Sequence, residues 1–276
     1  MRRATSAGMA LFGIALFCAI PATAHAQSIA DRFRVQVSGY YPKIDTDIAL
    51  SSTGSTTIGT TIDLEEDLGL DNRQLLPAVF AGVRIGGNFS IGADYYALRR
   101  DTTHTISRDL VVEDVTYPAN ASITSGFDTD VYRLTLGYAF LRRPNVEIGG
   151  AIGLHATHFA VEFSGQGRVG NQGASFQSRR HEFLAPLPTV GLFGTVQVAR
   201  GLTLGARVDY LSLGMGDYHG RLINTQATLA WRIFRNVGIG IMYRHVDYRV
   251  DVEKERYTGR LTYSFSGPAL FIEAGF

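Results

Sequence analysis

The chain of 276 residues has one cysteine, Cys18, and one tryptophan, Trp231. A lone thiol excludes an internal disulfide and any multi-cysteine metal cluster. Neither charge sign is in excess: 26 basic and 25 acidic residues leave a formal net charge of +1, so nothing electrostatic points to nucleic acid. Long apolar runs are absent after Ile20, and none approaches the roughly 20 residues of a membrane-spanning helix. The Gly/Ser/Gln-rich stretch "SGQGRVGNQGASFQSRR" lacks the lysine and the following helix of a phosphate-binding loop, and reads as a mobile loop.

What is present begins with a leader. Arg2 and Arg3 precede the apolar run Met9 to Ile20, then Pro21 and "ATAHAQ" with its Ala24-x-Ala26 ending. This pattern predicts a cleaved secretory signal over 1–26 and a mature chain from Gln27. Cys18 falls inside it, and Phe17 before it does not suit a lipidation site, so the mature chain is expected to have no thiol chemistry.

Glycine (31), phenylalanine (16) and tyrosine (13) are plentiful, which suits strands and turns. Apolar residues recur at every second position in ten ribs, from Phe33, Val35, Val37 and Tyr41 through Tyr132, Leu134, Leu136, Tyr138 and Phe140 to Leu270, Ile272, Ala274 and Phe276. Each rib is close to the roughly nine to eleven residues of a tilted membrane strand. Tight spacers ("GGN", "RRPN", "RG", "FRN") alternate with long polar ones at 45–72, 101–125 and 164–182, the short-turn, long-loop rhythm of a membrane barrel. Two later connections, 214–219 and 252–256, read as short external hairpins, giving one high rim and one low rim. Opposite the apolar ribs stand Arg84, Asp94, Arg133, Glu147, Arg207, Asp209, Gln226, Arg232, Arg244 and Glu273. In lipid these would line a lumen. Aromatics gather at both rib ends as two interfacial girdles. The reading is all-β: a single transmembrane antiparallel up-and-down β-barrel of about ten strands, domain 27–276, in the outer membrane of a Gram-negative cell envelope.

The terminal "GPALFIEAGF" resembles the assembly signal that outer-membrane β-barrel proteins present to their insertion machinery, which implies that role for Leu270, Ile272, Ala274 and Phe276. The stretch "TIDLEEDLGLDNRQLLPAVFAGVRIGGNFSIGADYYALRR", followed by "YRLTLGYAF", is similar to an uncharacterised proteobacterial group with OmpA-like or porin-like barrels. The resemblance implies architecture and location. It supplies no catalytic motif.

The search for chemistry returns little. Asp128-Thr-Asp130 and His245-Val-Asp247 invite comparison with omptin-type proteases, but the second pair is in reversed order and both continue the lipid-facing parity. In "HATHF", His155 and Thr157 share the lumen face while His158 points the other way, and no serine nucleophile stands beside them. "DLEEDLGLD" gathers Asp63, Glu65, Glu66, Asp67 and Asp71; its spacing fits no EF-hand, so a solvated, self-repelling loop is expected rather than a divalent-cation site. No metal, no cofactor and no enzyme activity are expected. Counting across the turns puts Arg207 beside Gln226 and Gln226 beside Arg244, with Asp209 on the same face, predicting a lumen belt that narrows the barrel. Little or no conductance is expected, and replacing Arg207 and Arg244 with Ala is expected to raise it. The expected function is a non-enzymatic structural or surface-interaction barrel. A porin-like small-solute channel and an outer-membrane hydrolase are the alternatives. Expected partners are outer-membrane lipid and lipopolysaccharide, with the barrel-assembly machinery during insertion. No extracellular ligand is named by the sequence.

Overall fold

Period-two patterning sends successive side chains to opposite faces of a pleated strand, so a chain of such ribs joined by tight turns must build a two-faced antiparallel sheet. A computed structural model of the protein describes residues 29, 31–52, 61–112, 115–169, 172–215, 218–253 and 257–276. The expected leader, 1–26, and its cleavage at Gln27 lie outside the described residues.

The strands are β1 (Phe33–Tyr40), β2 (Lys43–Ser52), β3 (Thr61–Asp63), β4 (Leu76–Ile85), β5 (Phe89–Thr105), β6 (Leu110–Val112), β7 (Val115–Tyr117), β8 (Ser122–Arg143), β9 (Val146–Val169), β10 (Gln172–Ala199), β11 (Leu202–Met215), β12 (Tyr218–Arg232), β13 (Val237–Glu253) and β14 (Tyr257–Gly275). Ten of them form the wall, in the order β1-β4-β5-β8-β9-β10-β11-β12-β13-β14, and β14 pairs back to β1 to close it. Closure leaves no open edge in the membrane, where an unpaired backbone group has no water to bond. β2 continues β1 beyond a break at Tyr41 and Pro42 and pairs with the upper half of β14. The break needs Gly267 opposite, because a Cβ there would lie 2.6 Å from the Tyr41 carbonyl oxygen.

The apolar ribs face outward. Leu134, Ile152, Leu192, Ile241, Leu270 and Ile272 are all exposed, Leu270 to 70%. In water each would forfeit about 2 kcal/mol of burial, whereas in lipid the same face is the solvated one. Two aromatic rings bound this belt. Phe89, Tyr138, Phe140, Trp231, Phe234 and Phe276 stand exposed by the short turns, and Tyr41, Tyr95, Tyr132, Tyr210 and Tyr243 toward the long loops. Across the β5–β8 ladder they meet as pairs, Phe89 with Tyr138 at 4.9 Å and Tyr95 with Tyr132 at 5.0 Å between ring centroids. Phe276 is tied in as well. Its carbonyl accepts from the amides of Arg32 (2.6 Å) and Phe33 (3.0 Å), and its amide donates to the Phe33 carbonyl (2.9 Å).

The rim is uneven in the expected sense: β9 and β10 run 24 and 28 residues, β11 and β12 only 14 and 15. One expectation is corrected here. Much of the stretch 164–182 is a continuation of the β9–β10 ladder rather than a mobile loop, with Glu162 opposite Arg180 and Gly173 opposite Arg168. Polar composition does not prevent β pairing, so composition alone misled. The hairpin tips at 216–217 and 254–256 lie outside the described residues.

Candidate functional site

The lumen has two halves of different character. Toward the extracellular end the inward residues are apolar and packed: Phe127, Phe159, Tyr248, Tyr263 and Phe265 interlock with Leu64, Leu68, Leu98, Ile106, Leu110 and Ile123, each of the eleven no more than 3% exposed. Toward the short turns the inward residues are polar and surround a cavity of about 230 Å³.

At the boundary lies a charge network centred on Asp209 of β11. Its carboxylate accepts from Arg207 Nε (3.0 and 2.9 Å), Arg207 Nη2 (2.8 Å) and Asn224 Nδ2 (2.9 Å), and lies 3.2 Å from Arg133 Nη2. Arg133 also lies 3.8 Å from Asp94, and Arg207 Nη2 reaches Thr135 Oγ1 at 3.2 Å. Arg133 stands on β8, three staves from β11, so its guanidinium crosses the lumen face of β9 and β10. Glycine clears that path: a Cβ on Gly191, which pairs with Asp209, would lie 2.3 Å from Asp209 Oδ1.

The belt residues named from the sequence are placed as follows. Arg207 is opposite Gln226, and Gln226 is opposite Arg244. Arg244 donates from Nε to Asn224 Oδ1 (2.9 Å) and its guanidinium lies 5.0 Å from the Tyr96 ring centre; it makes no direct bond to Asp209. Gln226 lines the cavity. Two participants were missed. Asn224 was legible, since the count that sets Arg207 opposite Gln226 also sets Asp209 opposite Asn224. Arg133 was not, because its reach depends on the stagger of strands that are not adjacent. The apolar packing lies above this belt, so the belt is not the only narrowing of the lumen.

Near the short turns, Arg84 and Arg142 converge on Glu147 at 2.7 and 3.5 Å, while Arg232 takes Asp31 (2.5 Å) and Glu273 (3.4 Å). Ile29, buried to 5%, accepts from Arg84 and Arg142 through its carbonyl, each at 3.5 Å, so the start of the described chain is fastened at this mouth.

The acidic segment corrects the expectation of a solvated, repelling loop. Residues 61–76 fold over the extracellular mouth with Leu64, Leu68, Leu70 and Leu76 buried. Three of its five carboxylates, those of Asp63, Glu65 and Asp67, have bonded partners. Asp63 Oδ1 accepts from the amides of Glu65 (2.9 Å) and Glu66 (2.7 Å), Asp67 pairs with Arg108, and Glu65 pairs with the buried Arg100, whose guanidinium also reaches Thr46 Oγ1 (2.8 Å) and the Asp71 carbonyl (3.1 Å). The hydrogen bond from Arg108 holds the Asp67 carboxyl below its ordinary range, while burial and then the facing Asp63 push that of Asp47 up. Gly69 (φ 73°) completes the turn against His104, where a Cβ would come within 2.8 Å.

The candidate catalytic pairs do not converge. Asp130 accepts from Tyr95 (3.0 Å) and Arg99 (2.7 Å) on the outer face of β8, and His245 is on the outer face of β13, five staves away in either direction around the barrel. His155 is buried in the lumen, whereas His158 faces outward, 3.7 Å from Glu182. Among the described residues no group of three or more His, Cys, Asp or Glu is placed to hold a metal ion.

No protein-family model matches the chain, and no curated protein matches its sequence. Solved structures do. The outer membrane protease OmpT from Escherichia coli superposes with a TM-score of 0.56 over 88% of this chain and 97% of its own, at 11% identity. The fold is therefore that of an outer-membrane β-barrel. A FadL homologue of Pseudomonas aeruginosa (TM-score 0.38, 11% identity, 91% and 92% covered) and Neisserial surface protein A (0.30, 13%, 88% and 97%) also match. At these identities the likeness is one of architecture and carries no active site across.

Proposed function

We propose that the protein is a non-enzymatic outer-membrane barrel, closed at its extracellular end, that acts through its surface rather than by conducting solutes. The observation that carries this reading is the apolar fill above Arg244, capped by residues 61–76. A water-filled path through it would have to displace packed aromatic rings. Exposed Lys43, Arg99, Arg249 and Arg260 stand on the outer face beyond the tyrosine girdle, spread from just above it (Lys43 opposite Ser266) to well above it (Arg260 opposite Asp251), which favours lipopolysaccharide and outer-membrane lipid as its lateral partners. The barrel-assembly machinery would engage the terminal strand during insertion. We place the protein with the OmpA-like barrels rather than with open porins.

Planar bilayers test this. The unmodified protein is expected to show little or no conductance. Because the fill lies above the belt, replacing Arg207 and Arg244 with Ala leaves the path shut, a revision of the expectation from sequence. Replacing Leu64, Leu68 and Leu70 with serine should open it. Large, stable channels from the unmodified protein would instead establish the channel reading. The hydrolase reading has the OmpT architecture in its favour, but the candidate pairs face outward on separated staves, and peptide or lipid cleavage by the purified protein would revive it.

A further inference from the structure

The polar half of the lumen carries unbalanced charge. Around the boundary network three guanidinium groups, Arg133, Arg207 and Arg244, meet two carboxylates, Asp94 and Asp209. Asp209 is already claimed by Arg207, Asn224 and Arg133. Arg244 therefore stands, among the described residues, without an ion-pair partner, although it is only 4% exposed. A buried charge left uncompensated is costly, and in confined sites it is ordinarily matched.

Its geometry is fixed. Stacking against Tyr96, the bond from Nε to Asn224 and the bond from the Tyr40 hydroxyl to the Arg244 carbonyl (3.0 Å) lock the group in place, yet Nη2 has no hydrogen-bond partner. Arg244 lines the cavity, and so do its ladder neighbours Gln226 and Arg207. Three donor side chains thus occupy adjacent positions on β11, β12 and β13 at one height. Below them the cavity of about 230 Å³ is many times the space a single water needs. Arg32 and Arg34 line it as exposed residues nearer the short turns, and the acids beside them, Asp31, Glu147 and Glu273, are each paired with another arginine, so its mouth is on the periplasmic side and carries net positive charge.

We infer that this cavity is a binding site for a small soluble oxyanion, a phosphate, sulfate or carboxylate group, that enters from the periplasm and is held beneath the extracellular seal by Arg244, Gln226 and Arg207. Guanidinium and amide donors in a row match the acceptor-only edge of such a group, and charge-assisted bonds of this type are the strong ones. The anion supplies the charge that the network lacks. This inference goes beyond the closed-barrel reading, since a lumen sealed at the top retains its lower cavity.

Titration calorimetry of the purified full-length barrel at low salt, with inorganic phosphate, sulfate and acetate as probes, tests it. Saturable binding of at least one probe in the millimolar range or tighter is expected. Gln226→Leu, which alters no charge, should weaken it several-fold, and Arg244→Met by about tenfold or more. Heat-modifiable gel mobility reports whether each variant is folded, and if Arg244→Met is not, Gln226→Leu decides alone. Arg221→Gln on the outer wall should leave binding unchanged. Short-chain phosphatidylglycerol should not compete, because the cavity is walled from lipid. Absence of saturable heat with all three probes, or an affinity indifferent to Gln226→Leu, would overturn the site; competition by the lipid would overturn the assignment to a soluble anion.

Discussion

Asp209 is the residue on which most of the mid-lumen geometry depends, since donors from Arg207, Asn224 and Arg133 all end on its carboxylate. Asp209→Asn would leave Arg133 and Arg207 facing a neutral amide inside a confined lumen. Removing one partner of a buried ion pair costs about 3–5 kcal/mol, so the variant is expected to lose its compact, heat-modifiable form at markedly lower urea or temperature. An unchanged unfolding midpoint would mean that lumen water already screens the network. Gly191→Val should produce a similar loss by a different route, because its Cβ would sit on Asp209 Oδ1. This part of the molecule was half legible. Counting residues across tight turns placed Arg207, Gln226 and Arg244 in one row. The same arithmetic fails for Arg133, because its approach to Asp209 on β11 runs across β9 and β10, whose connection at 164–182 reads in the sequence as a loop and so gives no register to count through.

The cap over residues 61–76 shows why an element can be hidden in plain sequence. Leu64, Leu68, Leu70 and Leu76 share one parity, but Glu66, Asn72 and Gln74 interrupt it, and they are set among five carboxylates, so the segment reads as a solvated loop. What overrides that reading is the partner set. Arg100 comes from the upper end of β5 and Arg108 from just after it, and they turn repelling acids into anchors. The pair of Glu65 with Arg100 therefore gives a test by replacement. Glu65→Gln leaves the Arg100 charge buried and should raise amide exchange at Leu64–Leu70, whereas Glu65→Met combined with Arg100→Met should restore protection, since apolar residues of similar volume can replace a buried pair without loss. If the double variant exchanges as fast as the single, the cap depends on the ion pair itself. Acid titrates the same element in a defined order. Asp47 and Glu65, both pushed up chiefly by burial, take their protons before Asp67; for Asp47 this removes its repulsion with Asp63, and a carboxyl whose folded-state value is raised loses no stability on protonation. Asp67, held down by Arg108, contributes stability above the ordinary carboxylate range that is lost only as pH falls through its lowered value. Protection of the cap should thus persist through mildly acidic pH and fall at strongly acid pH. A loss already at mildly acidic pH would contradict this assignment.

At the scale of the whole molecule, the alternation of ten ribs, the two aromatic girdles and the uneven rim were all readable, because a barrel in lipid must repeat the same inside-outside rule on every stave. Phe276 belongs to that scale, since its backbone ties the end of β14 to the start of β1. Its side chain is 68% exposed in the lower girdle, while its backbone is bonded to Arg32 and Phe33. Phe276→Asp keeps those backbone bonds and changes only the interfacial group. A carboxylate near a membrane interface costs about 0–1 kcal/mol, too little to unfold a closed barrel. If the residue acts only as an anchor, the variant should accumulate normally in membranes and be slightly less stable. If it is part of the signal read by the assembly machinery, as we propose for Leu270, Ile272, Ala274 and Phe276, two measurements should separate. Purified, denatured Phe276→Asp should refold into detergent micelles with near-normal heat-modifiable mobility, yet the same variant should fail to reach the folded form in cells. Folding in both settings would remove Phe276 from the signal, and failure in both would assign it to the stability of the closure itself.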